Sequence, residues 1–475
     1  LSEHSMSKKV SPTCVFENER VIFKSYINEF TPELYKEFDS KAEKIGLHSK
    51  IDDLLTGKKV NYTEGLAAWH PKYRYEAMSN VNDNGAYDPF DTGTDHDKGI
   101  KLLELYDLLM CSKNIVTIGI GGSFEGPKML LEALEASMDE DPLEIFGGHH
   151  KYIFITGSDL SEFQIKTKGL NPEDTVFLIS SKSFTTQETI TILKEAISLS
   201  GDMDRFIAIT ANKAEAKKYN IKNIIEFDKE IGGRYSIWSD ISVLIKWLAP
   251  YAFGGFVEGG KQADDDLKNN KSYLKFVKYL AYSDIWLHNN KNKNSRAILS
   301  YIWAWRSFPD YIQQLEMESL GKQPSKDSEF NKTGQIIFGG YGPTAQHSYF
   351  QLLHQGTQDI CADIVASKND EKSLAYAQAI TQSKLLSQGI KELKGQDRIN
   401  GDIPINLFLT NVTNSSQSYD GVLKGPSVLN ELGYLIATWE HRTYITAAML
   451  GINPFDQFGV GAGKIYTKKY LAQKD

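Results

Sequence analysis

From about residue 80 to residue 250 the chain alternates between two patterns. Short runs rich in β-branched and aromatic residues read as strands: Asn114–Gly119, Tyr152–Thr156, Thr175–Ser180 and Arg205–Thr210. Between them lie segments such as KMLLEALEASM and QETITILKEAISLS, whose apolar positions recur at helical spacing. Strands separated by amphipathic helices predict right-handed βαβ units and a parallel sheet with helices on both faces. A polar stretch, KQADDDLKNNKS (Lys261–Ser272), then interrupts the pattern and reads as a linker or an exposed helical connection. Beyond it long helices resume, with strands expected at Ala297–Ile302, Gln335–Phe338 and Ile405–Leu409. The expected organisation is a helical N-terminal segment over 1–80 packed on the larger domain and a first, smaller α/β domain over 81–250. A second, larger α/β domain follows over 251–455, and a short tail over 456–475.

Length and composition narrow the function classes. At 475 residues the chain exceeds one typical core, so two domains are expected. Cys14, Cys111 and Cys361 are few and far apart, which fits a reducing, cytoplasmic setting without a disulfide framework. The N-x-Ser/Thr matches at Asn61, Asn331, Asn411 and Asn414 are then chance occurrences. The opening LSEHSMSKKV has no signal-peptide core, and the residues before Met6 read as added sequence. No apolar run reaches membrane-spanning length. A net charge of −8 disfavours general binding to nucleic acid or an anionic membrane. An anionic metabolite would need a local cluster of donors and cations.

Two loops offer such a cluster. In VTIGIGGSFEGP (Val116–Pro127) a hydrophobic strand runs into a glycine turn and a helix start. Gly121 and Gly122 let backbone N–H groups, with Ser123, approach a ligand closely. A dinucleotide site is the rival, but Phe124 stands where GxGxxG needs glycine, and no Walker Lys-Ser/Thr pair follows. The segment SSKSFTTQET (Ser180–Thr189) puts six hydroxyls and Lys182 between a buried strand and a helix. Thr185 and Glu188 have capping-box spacing, so one hydroxyl is expected to cap that helix. Ser181, Ser183, Thr186 and Thr189 remain as donors for a phosphate held by hydrogen bonds. Both loops leave the C-terminal ends of parallel strands, where open α/β sheets bind ligands.

These segments, with GGRYSIWS (Gly232–Ser239), QLEMESLGK (Gln314–Lys322), QHSYFQLLHQGT (Gln346–Thr357) and GINPFDQFGVGAGK (Gly451–Lys464), resemble the glucose-6-phosphate isomerase family, in the family's order. The resemblance covers the chain from about Asn61 to Lys464 and implies two sugar-isomerase (SIS) type α/β/α sandwiches with mainly parallel sheets. It also implies interconversion of glucose 6-phosphate and fructose 6-phosphate through ring opening and a cis-enediolate. By the same resemblance Glu318 is the base, Arg234 stabilises the enediolate and Lys464 acts on the ring oxygen. His347 is the ring-opening histidine, reaching the site of the neighbouring subunit of a homodimer. Gln314 and Gln457 position substrate, and His70, with Glu188 and Thr189, stands behind the site, His70 supporting Glu188. No metal or organic cofactor is implied.

The residues themselves add physical detail. Gln314 lies four positions before Glu318, on the same helix face, and Gly321 predicts that the helix ends just after Glu318. A carboxylate there faces the negative end of the helix dipole. Thr344 reads as an N-cap, which would put His347 in a first helical turn. His354, seven residues on, reads as structural. On composition alone Glu316 and Glu318 would be solvated charges, Arg234 a structural ion pair and Lys464 a tail charge. The chain also departs from the family pattern: Leu66 and Leu320 replace arginine and asparagine, PTAQH replaces TNGQH, Gly340 and Gly461 replace acidic residues, and Ser183 replaces threonine. Two alternatives stay open: a non-catalytic SIS protein that binds a phosphosugar and regulates a partner, and an isomerase that also accepts mannose 6-phosphate.

Overall fold

A computed structural model of the chain describes residues 11–81, 87–93, 95–136, 150–390, 392–412 and 425–473. Asn414, and Ser137 and Met138 of the expected KMLLEALEASM helix, lie outside the described residues. Strands β1 (Cys14–Glu17), β2 (Val21–Ser25), β3 (Asn114–Ile118), β4 (Lys151–Ile155), β5 (Thr175–Ser180), β6 (Phe206–Thr210) and β7 (Asn223–Glu226) come first. They are followed by β8 (Ser295–Ser300), β9 (Ile336–Tyr341), β10 (Ile360–Ser367) and β11 (Ile405–Thr410).

The first sheet is wholly parallel, in the order β4-β3-β5-β6-β7. β3 lies between β4 and β5, with Ile118 opposite both Ile155 and Ile179. The chain therefore leaves β3 toward one edge and returns on its other side at β5. Such a reversal opens a crevice at the C-terminal strand ends. The glycine turn follows β3 and the hydroxyl loop follows β5, so hydrogen-bonded neighbours deliver both loops to that crevice.

The second sheet has the order β1-β2-β11-β10-β8-β9. Strands β8 to β11 pair in parallel, whereas β1 and β2 form an antiparallel hairpin laid against β11. This corrects the expectation of a helical N-terminal segment. Helices Pro32–Lys44, Leu47–Leu55 and His70–Ser79 are present, but the chain first supplies two strands to the second sheet. VIFKS alternates buried and half-buried positions, the period of a strand with one face on a core. The polar Lys261–Ser272 stretch resolves as helix: it ends Pro250–Asn269 and, capped by Asn270, begins Lys271–Asn290.

Three long helices, Pro250–Asn269, Lys271–Asn290 and Gly425–Leu450, form an aromatic-rich core behind the sheets. Glycine lets two of them touch at backbone distance. A Cβ on Gly259 would lie 1.9 Å from the Asn430 carbonyl oxygen, and one on Gly433 would lie 1.9 Å from that of Phe256. Buried charges stitch the core to the second sheet. Arg442 holds Asp284 (2.6 and 2.7 Å) and Asp363 (2.7 Å), while Arg296 joins Asp284 to Glu316. Each charge in this group has an opposite partner, as burial demands.

Gly259→Ala is expected to overpack the helix crossing at a cost of about 1–3 kcal/mol, read as a lower thermal unfolding midpoint. An unchanged midpoint would show that the two backbones do not approach this closely.

Candidate active site

The helix Phe308–Leu320 begins with Pro309 in its first turn and ends at Gly321. Glu318 therefore sits in its last turn, as the Gly321 signal predicts. Residues two apart on a helix diverge, and the two glutamates part accordingly. Glu316 is buried in the arginine cluster and accepts the Trp439 indole N–H at 2.9 Å. Glu318 faces the crevice, its side chain 24% exposed. Gln314, one turn earlier, donates from Nε2 to Glu318 Oε2 at 3.1 Å.

Arg234 approaches the other carboxylate oxygen. Its segment GGRYS forms a tight turn over Gly233–Trp238, and its side chain is 1% exposed. Nη1 lies 3.4 Å from Glu318 Oε1 and donates to Gln457 Oε1 at 2.8 Å. Nε donates to Ser319 Oγ at 2.7 Å, and Nη2 to the carbonyls of Pro454 (2.5 Å) and Asp456 (3.0 Å). A guanidinium carries five N–H groups; this one makes four hydrogen bonds, and Nη1 also faces the Glu318 carboxylate. The cation is buried, fully solvated by protein and aimed at the carboxylate.

The glycine turn packs against both partners. Gly121 has φ +59, and a Cβ there would lie 3.1 Å from Gln314 Nε2. A Cβ on Gly122 would lie 2.0 Å from the Gly233 carbonyl oxygen. Close approach of the Gly122 and Gly233 backbones is thus one reason for glycine there, and it sets the turn beside Arg234. Ser123 ends the turn half-buried.

In the hydroxyl loop the helix Gln187–Ser200 takes Thr186, not Thr185, as its N-terminal flanking residue. This corrects the expected Thr185 cap. Phe184, buried at φ +53, reverses the chain so that Thr185 turns back to donate to Ser183 Oγ at 2.8 Å. Ser181 Oγ accepts the Phe184 N–H at 3.1 Å and lies 3.3 Å from Thr186 Oγ1. Burial lowers the pKa of Lys182 below the usual lysine range; Glu64 and Asp228 act against this, and the nearby Arg234 charge adds to it. Glu188 is half-buried, and Thr189 has its hydroxyl buried without a hydrogen-bond partner.

Glu318, Arg234, Gln314 and Gln457 thus meet beside the glycine turn. Lys464 does not join them within the chain. It is exposed on the helix Gly461–Ala472, which buries none of its residues. His347 is likewise exposed and contacts none of the four. Its expected place in a first helical turn is also corrected: Pro343 starts the short helix Gly342–Gln346 early, and His347 falls just past its end. His70 does not meet Glu188. Its Nδ1 lies 3.0 Å from the Ala68 carbonyl, and its ring stacks on Tyr235 at 4.7 Å. Nε2 faces Glu440 at 3.5 Å, and burial holds the imidazole pKa down to about 3, with the Arg74 charge adding.

Sequence reasoning missed Ser319, Tyr235, Lys322 and Asp456. Ser319 Oγ meets both Arg234 Nε and the Tyr235 hydroxyl (2.9 Å), so the residue after Glu318 holds the arginine. Adjacency inside the two motifs was the available signal. Leu320, a departure from the family pattern, is buried in the core.

The profile of the phosphoglucose isomerase family matches residues 24–475. A glucose-6-phosphate isomerase of Neurospora crassa is 32% identical, over 96% of this chain and 85% of its own. One from Shewanella sp. strain MR-4 is 31% identical, over 94% and 86%. The crystal structure of a Chlamydia trachomatis glucose-6-phosphate isomerase shares the fold, with a TM-score of 0.78 at 22% identity, covering 97% of this chain and 90% of that one.

Ser319→Ala strips a partner from both Arg234 Nε and the Tyr235 hydroxyl. Stability is expected to fall by about 1–3 kcal/mol, measured by denaturant unfolding. An equally stable variant would show that this hydroxyl does not hold the guanidinium.

Proposed function

The chain belongs to the phosphoglucose isomerase family, and from that premise we propose how its residues divide the interconversion of glucose 6-phosphate and fructose 6-phosphate. The observation that carries the proposal is the Glu318 carboxylate, held between the Gln314 amide and the Arg234 guanidinium. Glu318 takes a proton from one of the two adjacent carbons and returns it to the other, so a single base serves both halves of the reaction. Arg234 needs no reorganisation as negative charge grows on the enediolate oxygens, because its other donors are already fixed. Gln457, bonded to Arg234, and Gln314 orient the sugar.

The phosphate sits on the hydroxyl loop, with Ser181, Lys182, Ser183 and Thr186 as donors and Gly122 and Ser123 supplying the neighbouring turn. The mutual hydroxyl contacts in that loop can turn outward toward an anion. His70 supports the site through Tyr235 and Ser319, while Glu188 and Thr189 stand behind it in the first turn of the following helix. Lys464 is assigned to the ring oxygen, which requires the exposed C-terminal helix to approach the bound sugar.

We further infer a homodimer in the cytoplasm, serving glycolysis and gluconeogenesis, in which His347 opens the ring bound by the partner subunit. Support comes from its exposure and its lack of contact with Glu318, Arg234, Gln314 or Gln457 within its own chain. Among the described residues no helix is long and apolar enough to cross a membrane. Units over 81–250 and 251–455 would then divide phosphate binding from the base.

In a coupled assay from fructose 6-phosphate through glucose-6-phosphate dehydrogenase, Glu318→Gln is expected to lower kcat by about 10²–10⁴-fold. Robust turnover by that variant would remove Glu318 as the base. Mixing refolded His347→Ala and Glu318→Gln subunits should restore part of the activity, since mixed dimers keep one intact site. Two inactive variants that stay inactive when shown to exchange subunits would argue against a shared site.

A further inference from the structure

Lys322 stands two residues beyond the helix that carries Glu318 and turns back onto it. Its Nζ donates to the backbone carbonyls of Glu318 (2.9 Å) and Ser319 (3.0 Å). Both belong to the last turn, whose carbonyls have no partner within the helix. The ammonium also faces Asp456 Oδ1 at 3.6 Å, with the two side chains 17% and 8% exposed. Asp456 is itself tied down. Its Oδ2 accepts the Thr63 hydroxyl at 2.8 Å, and its backbone carbonyl accepts Arg234 Nη2 at 3.0 Å. Thr63 Oγ1 in turn accepts the Asn453 amide at 2.7 Å. One lysine thus connects the end of the base helix, the backbone that holds the arginine, and the NYTEG segment near the N-terminus.

We propose that Lys322, anchored by Asp456, is a positioning residue for the isomerase reaction, fixing the last helical turn so that the Glu318 carboxylate stays in register with Arg234. The inference rests on Glu318 as the base. Neither Lys322 nor Asp456 is assigned a contact with substrate. They act on the distance between two groups that do touch it, and a displacement near 1 Å at such a site costs up to about 10²-fold in rate.

The charged groups facing the ammonium are Arg234, Asp456 and Glu318. Burial lowers its pKa to about 8, with Arg234 adding to the effect and Asp456 and Glu318 opposing it. As pH rises through about 8 the charge is therefore lost, and with it the ion pair to Asp456, while the two carbonyl bonds weaken to those of a neutral amine. An arginine at 322 stays charged throughout.

The test measures kcat and KM for fructose 6-phosphate against pH in the wild type, Lys322→Met, Lys322→Arg, Asp456→Asn and Glu318→Gln. Lys322→Met should lose about ten- to hundred-fold in kcat, with KM changed less than about twofold, the signature of an interaction felt in the transition state. Lys322→Arg should recover much of that rate and hold it to higher pH than the wild type. Wild-type kcat in Lys322→Met beside an inactive Glu318→Gln would overturn the positioning role and leave the base in place; an active Glu318→Gln would instead overturn the base. If Lys322→Met does not fold, Asp456→Asn decides. A lower kcat at unchanged KM supports the anchor, and wild-type kcat refutes it.

Discussion

A guanidinium taken out of water must find a partner for every N–H, and around Arg234 that requirement organises the site. Three chain segments far apart in sequence meet on one side chain: the GGRYS turn, the end of the helix Phe308–Leu320, and Pro454–Gln457. Leaving any of these donors unmet inside the protein would cost more than an ordinary hydrogen bond returns. The arrangement that satisfies these donors is therefore also the one that fixes where positive charge stands relative to the Glu318 carboxylate. Folding energy and the transition-state electrostatics proposed for Arg234 draw on the same contacts.

The fold serves this constraint at two places. In the first sheet, β3 and β5 are neighbours, so the glycine turn and the hydroxyl loop emerge side by side. Absence of a side chain at Gly122 then lets that turn sit directly on Gly233, one residue before the arginine. Elsewhere, Glu316 anchors the helix Phe308–Leu320 in the buried arginine cluster, while Glu318, two residues later, is left facing the crevice. The buried and the crevice-facing carboxylate differ in environment rather than in type.

Much of this was legible in the sequence, for identifiable reasons. Four strands of the first sheet are dense apolar runs between amphipathic helices, so the pattern locates Thr175–Ser180 and its neighbours, while the short edge strand β7 gives too brief a run to stand out. Gly321 ends the helix Phe308–Leu320 as expected, but at φ −72 it does so for want of space, since a Cβ there would lie 2.4 Å from the Met317 carbonyl oxygen. Strand β10, central to the second sheet, is not legible in the sequence because Asp363 interrupts its apolar run, and only tertiary contacts with Arg442, Arg296 and Asn406 explain a buried aspartate there. The β1–β2 hairpin escaped because it gains its stability from β11, nearly 400 residues away, with Phe408 opposite Phe23. Local capping chemistry misplaced Thr185 and His347, since a buried Phe184 and the early Pro343 outweigh a hydroxyl at cap spacing. His70 was placed beside the wrong carboxylate, because no spacing rule reveals that Glu440 crosses the core to meet it.

The central claim is that one carboxylate, paired with Arg234, carries a proton between adjacent carbons and can exchange it with solvent in transit. Turnover of fructose 6-phosphate in D2O, followed by NMR of the glucose 6-phosphate formed, tests this most directly. The account predicts deuterium at C2, in an amount below full substitution because part of the original proton is returned before it exchanges. Product that remains free of deuterium through repeated passage in both directions would contradict a base-mediated enediolate and point to direct transfer between the carbons.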